Sequence, residues 1–176
     1  MHSLIDYAHA MSRYNRWMNQ RMYDACATLD DDQRKRDVGA VFRSIHGTLN
    51  HILVADQIWM GRFAGEPVEF RALDQELFSD FAQLHAQRET EDERIIAWID
   101  SLAVEDLNGE LTYTSTVSPR SRTYPFWFAL MHFFNHQTHH RGEATTVLSQ
   151  SGIDPGVTDL ILLPEYQAGP PPVAAL

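Results

Sequence analysis

The sequence predicts an all-α fold: a four-helix bundle with a short extended crossover or hairpin before the last helix. Three observations predict it. Four long segments repeat apolar side chains at steps of three and four, the spacing of one helical stripe. That period changes to alternation over residues 108–125. The composition, 44% hydrophobic and 22% charged over 176 residues, is globular and long enough to bury one core. No internal repeat or sustained heptad competes, so four helices of about 20 to 30 residues pack most economically as a bundle.

The first helix spans about 4–29, with Leu4, Tyr7, Met11, Tyr14, Met18, Met22, Ala25 and Leu29 on its stripe. Asp30, Asp31 and Asp32 and then Gly39 mark a connection. The second helix runs from about 42 to 63, through Phe42, Ile45, Leu49, Ile52, Leu53, Trp59 and Phe63. Gly47 weakens its middle, and Gly61 and Gly65 signal its end. The third is the longest, about 74–102, with Leu77, Phe81, Leu84, Arg88, Ile95, Ile99 and Leu102 inward. Its charged middle, QRETEDER at 87–94, reads as a solvated face. Alternating Leu111 and Tyr113 with β-branched neighbours then signal the extended crossover. Pro125 suits the first turn of a fourth helix over about 126–150, which stops at Ser151-Gly152. Residues 160–163 are expected to pack on the body. The domain is expected to cover 1–168, followed by a loose Pro-rich tail over 169–176.

Lys plus Arg number 14 and Asp plus Glu 24, a net charge of −10. That balance argues against nucleic acid and anionic membrane surfaces as partners. The one cysteine, Cys26, excludes an intrachain disulfide and a Cys-rich zinc module. No targeting segment stands out, and the most apolar stretch, 124–134, is too short to span a bilayer and contains Pro125 and His132. The expected setting is cytoplasmic.

Histidine is in surplus, with nine residues. Four of them, His132, His136, His139 and His140, fall within about a quarter of a helix circumference at about 100° per residue. An i, i+4 pair there presents two imidazoles to one ion. Spacing leaves two pairs open, His132 with His136 and His136 with His140. A third ligand must come from elsewhere, and His51, set among apolar residues of the second helix, is a candidate. Three imidazoles leave positions for water or substrate, the open arrangement of catalytic sites. A chain of hydrogen-bonded imidazoles is the competing reading, and His9, His46 and His85 read as ordinary core or surface residues. The sequence lacks an H-E-x-x-H arrangement, a Gly-x-Ser-x-Gly elbow, a phosphate-cradling loop and a dinucleotide fingerprint. The aromatic group Tyr124, Phe126, Trp127, Phe128, Phe133 and Phe134 reads as core or dimer interface. Asp56, about 140° round the helix from His51, faces away from the ion.

Four stretches carry a likeness to a known family: YNRWMNQRM at 14–22, SIHGTLNHILVADQIWMGRF at 44–63, MHFFNHQTHHRGEATTVLSQSG at 131–152, and GVTDLI just after it. The sequence resembles the DinB family, the DinB/YfiT-like group of metalloenzymes named for a damage-inducible bacterial protein. The resemblance implies an up-down-down-up bundle, commonly dimeric, with one metal ligand on the second helix and two on the fourth. Residue by residue, it implies that His51, His136 and His140 hold a divalent metal, leaving His132 and His139 as lining groups. Many relatives carry Gln where this chain has Glu143. Characterised relatives include thiol-dependent transferases and an isomerase.

The expected function is therefore a divalent-metal-dependent enzyme acting on a small molecule, by thiol-dependent transferase, isomerase or hydrolase chemistry. Zinc or nickel heads the metals that three imidazoles suit, with iron and copper after them. His132, His139 and Glu143 are the expected proton-handling groups. Any nucleophilic thiol would come from a low-molecular-weight cosubstrate, and the homodimer would form through helices. The alternative is a non-catalytic metal-binding stress-response dimer. DNA repair, suggested by the family's name, is opposed by the charge.

Overall fold

The computed structural model describes residues 3–66, 70, 72–115 and 120–167. The tail expected over 169–176 lies outside them. Among the described residues there are five α-helices and one two-stranded sheet. The helices are α1 (Leu4–Ala27), the short α2 (Asp31–Lys35), α3 (Ile45–Ala64), α4 (Phe81–Ser101) and α5 (Phe126–Gln150). Strands β1 (Glu110–Thr114) and β2 (Ser121–Pro125) pair antiparallel before α5, as the break in helical period predicts. α1 packs against α4 and α5, and α3 packs against the same two. No helix among the described residues is long and apolar enough to cross a membrane.

The helix boundaries follow their caps. α3 begins at Ile45, not Phe42, because the Ser44 side chain accepts from the Gly47 amide. The acidic triplet forms α2 instead of a plain connection. Asp30 accepts from the Gln33 amide while the Gln33 side chain accepts from the Asp30 amide, a reciprocal capping box.

The third predicted helix starts seven residues late, at Phe81, where Asp80 accepts from the Gln83 amide. Asn50, buried in α3, is a physical reason. Its Oδ1 accepts from the amides of Leu77 and Phe78, and its Nδ2 donates to the Phe78 carbonyl. Those side-chain bonds hold 72–80 as a non-helical strap along α3.

The core has two apolar parts. One gathers Met11, Met18, Trp59, Ile95, Ile99, Phe133 and Phe134 among others. The other gathers Met22, Cys26, Leu49, Ile52, Leu84, Ala144 and Leu148 among others. Between them lies a layer of buried charge, which corrects the reading of 87–94 as a solvated face. Arg88, Glu91 and Asp92 are all buried. Arg88 Nη1 donates to Asp56 Oδ2 at 2.6 Å, and its Nη2 lies 3.0 Å from Asp92 Oδ1. Gln137 Nε2 donates to Asp56 Oδ1 and Asn19 Nδ2 to Asp92 Oδ1, each at 2.8 Å. Arg141 donates to Asn15. The layer draws on all four long helices and holds two cations and two anions in Arg88, Arg141, Asp56 and Asp92.

One smaller expectation is also corrected. Of the 160–163 segment only Leu163 is buried, because its three-residue turn points Leu160 and Ile161 outward. The aromatic group divides between buried Phe133 and Phe134 and exposed Trp127 and Phe128.

Removing one partner of a buried ion pair leaves an uncompensated charge. Arg88→Met should therefore cost about 3–5 kcal/mol in urea unfolding. A cost below about 1 kcal/mol would show that the layer is not buried as described.

Candidate metal centre

His51 lies on α3, and His136 and His140 lie one turn apart on α5. Their ligand atoms all fall within 4.8 Å of one another. The His136 ring centroid is 5.2 Å from that of His51 and 4.4 Å from that of His140. The structure thus brings together the second of the two pairs that spacing left open, with the α3 histidine opposite.

Hydrogen bonds fix the protons. A neutral imidazole carries one N–H. His51 Nδ1 donates to the Leu73 carbonyl at 2.7 Å, and His140 Nδ1 donates to Glu143 Oε2 at 2.8 Å. Carbonyl and carboxylate oxygens only accept, so they assign the proton to Nδ1 in both rings. The two Nε2 lone pairs then face each other at 3.2 Å, an arrangement that calls for a positive charge between them. Two nitrogens on one tetrahedral zinc, each about 2.0–2.1 Å from it, sit roughly 3.3 Å apart. The residues present therefore fit a divalent cation. The bonds at the far ring nitrogens are the orienting partners that metal-bound histidines commonly have.

The surroundings disfavour the charged forms of His136 and His51. Burial, followed by the neighbouring His140 and His51, pushes His136 down to about 3. Burial also lowers His51, partly offset by its bond to Leu73. The Phe42 ring stacks on His51 with centroids 3.7 Å apart and planes 13° from parallel, and meets His140 edge-on. Phe42 is aimed by the turn before α3, where Arg43 takes the left-handed conformation at φ 68°.

The other predicted site residues occupy the flanks. Glu143 is shared, since its Oε1 lies 3.3 Å from Nε2 of the exposed His139. His139, His140 and Glu143 form a second, overlapping cluster of ligand atoms. His132 stands outside both clusters, its ring 6.0 Å from that of His136 and 5.0 Å from that of Trp59. Burial and the nearby Arg62 lower its pKa. Asp56 is engaged by Arg88 and Gln137 in the charge layer. His46 bonds the Phe78 carbonyl, His9 pairs with Asp100, and His85 stacks on Tyr23.

Sequence reasoning missed Leu73, Phe42 and Asn50. Asn50, a polar side chain among apolar neighbours in the LNHIL stretch, was a readable signal. The Leu73 carbonyl and the Arg43 turn leave none.

A helical protein with a three-imidazole cluster suited to a divalent cation is the class that fold and site define. The DinB family's sequence profile matches residues 4–172, and the chain belongs to that family. It is 28% identical over 162 residues to Protein DinB of Bacillus subtilis (strain 168), covering 89% of this chain and 92% of that protein. A crystal structure of a DinB-like protein from Bacillus cereus ATCC 10987 superposes with a TM-score of 0.62. It shares 22% identity over 82% of this chain and 91% of the other, which speaks to fold.

Two predictions follow from the site's support. A Cβ at Gly47 would collide with the Phe42 carbonyl oxygen, which is backbone and cannot swing aside. Gly47→Ala should therefore cost about 1–3 kcal/mol by overpacking and loosen Phe42 from His51. Gly142→Ala, with open space at its Cβ, should instead stabilise by about 0.5–1 kcal/mol. Equal melting shifts for the two variants would contradict this reading.

The second concerns acid. His136 is depressed on folding, so the folded metal-free chain takes up fewer protons than the unfolded chain between its ordinary pKa of 6.5 and about 3. This contribution to stability is present above pH 6.5 and is lost as pH falls through that window. Metal-free protein should melt progressively lower toward pH 4, and His136→Gln should flatten that slope. An unchanged slope in the variant counts against the assignment.

Proposed function

We propose that this chain is a divalent-metal-dependent enzyme acting on a small molecule, with His51, His136 and His140 as the metal ligands. The observation that carries the reading is the pair of Nε2 lone pairs on His51 and His140, facing each other with both Nδ1 protons engaged elsewhere. The pattern of helix contacts supports an up-down-down-up four-helix bundle. A bound zinc or nickel ion would supply a Lewis acid that lowers the pKa of a bound water or thiol.

The chain's own groups have distinct tasks in this reading. The Leu73 carbonyl and Glu143 hold two rings in the tautomer that presents Nε2 inward. Phe42 covers one face of His51 and keeps water from it. Glu143, between His140 and the exposed His139, can pass a proton from the interior to the mouth of the site. Cys26 is excluded as nucleophile, since it is buried in the core and burial pushes its thiol up to about 12. A thiol-dependent transferase or isomerase would take its sulfur from a small cosubstrate, and water in its place would give hydrolysis. The exposed Trp127 and Met131 on α5 support a homodimer through helices. A single reduced cysteine suits the cytoplasm.

Purified without a His-tag, the protein should hold about one metal per chain. His51→Ala, His136→Ala and His140→Ala should each remove most of it, while His132→Ala should retain it. Glu143→Ala should weaken binding about 10- to 100-fold through the lost bond to His140. Full metal content in all three alanine variants would end the proposal. With cobalt in the site, added cysteine should give a thiolate absorption band, and no band would leave the hydrolytic branch.

A further inference from the structure

Beside the metal centre, the hairpin encloses a cavity of about 200 Å3 between itself and α3 and α5. Trp59 and His132 line it from the helices, Tyr113, Arg122 and Tyr124 from the strands, and Phe128 from the first turn of α5. Its wall residue His132 stands one helical turn before His136, with their ring centroids 6.0 Å apart.

Charge sets this place apart. The chain carries −10 overall, yet two guanidinium groups gather here. The half-buried Arg62 lies over the rings of both Trp59 and Tyr113, at 4.5 and 4.1 Å from their centroids. Tyr113 is the cross-strand partner of Arg122. Burial, and the repulsion of Arg122, hold Arg62 below the ordinary arginine range, with only Tyr113 opposing. Among the described residues neither arginine makes an ion pair with a carboxylate. Two cations without an acidic partner, beside an aromatic cavity, favour an anion with an apolar body. The volume is below the roughly 300–1,000 Å3 of drug-sized sites, which limits that body to one ring or a short chain.

We propose that this cavity receives the organic part of the substrate, a small carboxylate whose flat apolar body lies among Trp59, Tyr113, Tyr124 and Phe128. Arg122 holds its carboxylate, Arg62 adds positive charge from its place over Trp59 and Tyr113, and its other end points toward His132. The inference deepens the metal-dependent reading and rests on it for the word substrate. The cavity itself needs no metal to bind an anion.

The test is calorimetric titration with benzoate, benzyl alcohol and inorganic phosphate, on metal-loaded and on chelated protein. Benzoate should saturate in both forms, at least about tenfold more tightly than either of the others. Arg122→Gln and Arg62→Gln should each weaken benzoate about tenfold, while Arg122→Lys keeps much of the affinity. Unchanged circular dichroism and melting confirm that the variants fold, and Arg122, exposed on its strand, carries the test should Arg62→Gln unfold. Benzoate binding that vanishes on chelation overturns the cavity, since the carboxylate then sits on the metal, and it leaves the metal reading intact. Equal affinity in the wild type and both glutamine variants overturns it as well, as does phosphate binding as tightly as benzoate. A chain that holds no metal yet binds benzoate through Arg122 supports the cavity and counts only against the metal reading.

Discussion

The layer of charge between the two apolar halves of the core is the constraint on which the rest of the structure depends. Apolar contacts are forgiving, since a leucine can trade one greasy neighbour for another. Asp56, Arg88, Asp92 and Arg141 have no such freedom, because each would be left as a bare charge at low dielectric if its helix rotated or slid. Gln137 and Arg141 point α5 toward Asp56 and Asn15. The residues immediately before them in sequence are His136 and His140. Turning Gln137 and Arg141 inward therefore turns the two histidines about 100° aside, onto the seam with α3. On α3, Asp56 fixes the rotation that puts His51 on the same seam. The three-imidazole cluster is laid out by the charge layer even though the two share no residue.

That dependence explains what was legible in the sequence and what was not. Helical periodicity revealed the four long segments, and the change to alternating Leu111 and Tyr113 revealed the hairpin. The i, i+4 histidines were visible, but choosing between His132 and His140 needed a resemblance. The reason is geometric, because both pairs lie on one face, and only the position of His51 on a neighbouring helix separates them. The charged run 87–94 misled for a related reason. Charge on a helix usually means solvent, and Asp56, which pairs with Arg88, and Asn19, which bonds Asp92, come from distant parts of the chain. Periodicity within one segment cannot report a partner on another.

The late start of α4 has the same origin. Leu77 looks like a helix stripe residue, and local propensity does not forbid a helix from Asp74 through Leu77 and Phe78. Asn50 captures their amides before the helix can use them. The consequence reaches the metal cluster, because the strap held by Asn50 carries Leu73, whose carbonyl orients His51. A side chain that spoils a helix in one place thus assigns a proton in another. Neighbouring residues on α3, Asn50 and His51, place and then use the same strap.

The two flanks of the imidazole cluster differ in chemistry, and the difference follows from the chain direction of α5. Toward its C-terminal end, Glu143 lies between His140 and the exposed His139. Toward its N-terminal end, His132 leads into aromatic rings and arginines supplied by the hairpin and α3. A polar, carboxylate-bearing side and an apolar, cation-rimmed side therefore flank His136, the ring between them on one helix. Such a division suits a reaction in which one end of a molecule is held while the other changes its bonding, because orientation and proton transfer are then handled by separate groups. A purely structural metal needs neither flank, since it is served best by a closed shell of ligands. The unpaired arginines add to that contrast. The rings of Trp59 and Tyr113 offset part of the cost of desolvating Arg62, and an anionic ligand near Arg62 and Arg122 would offset more.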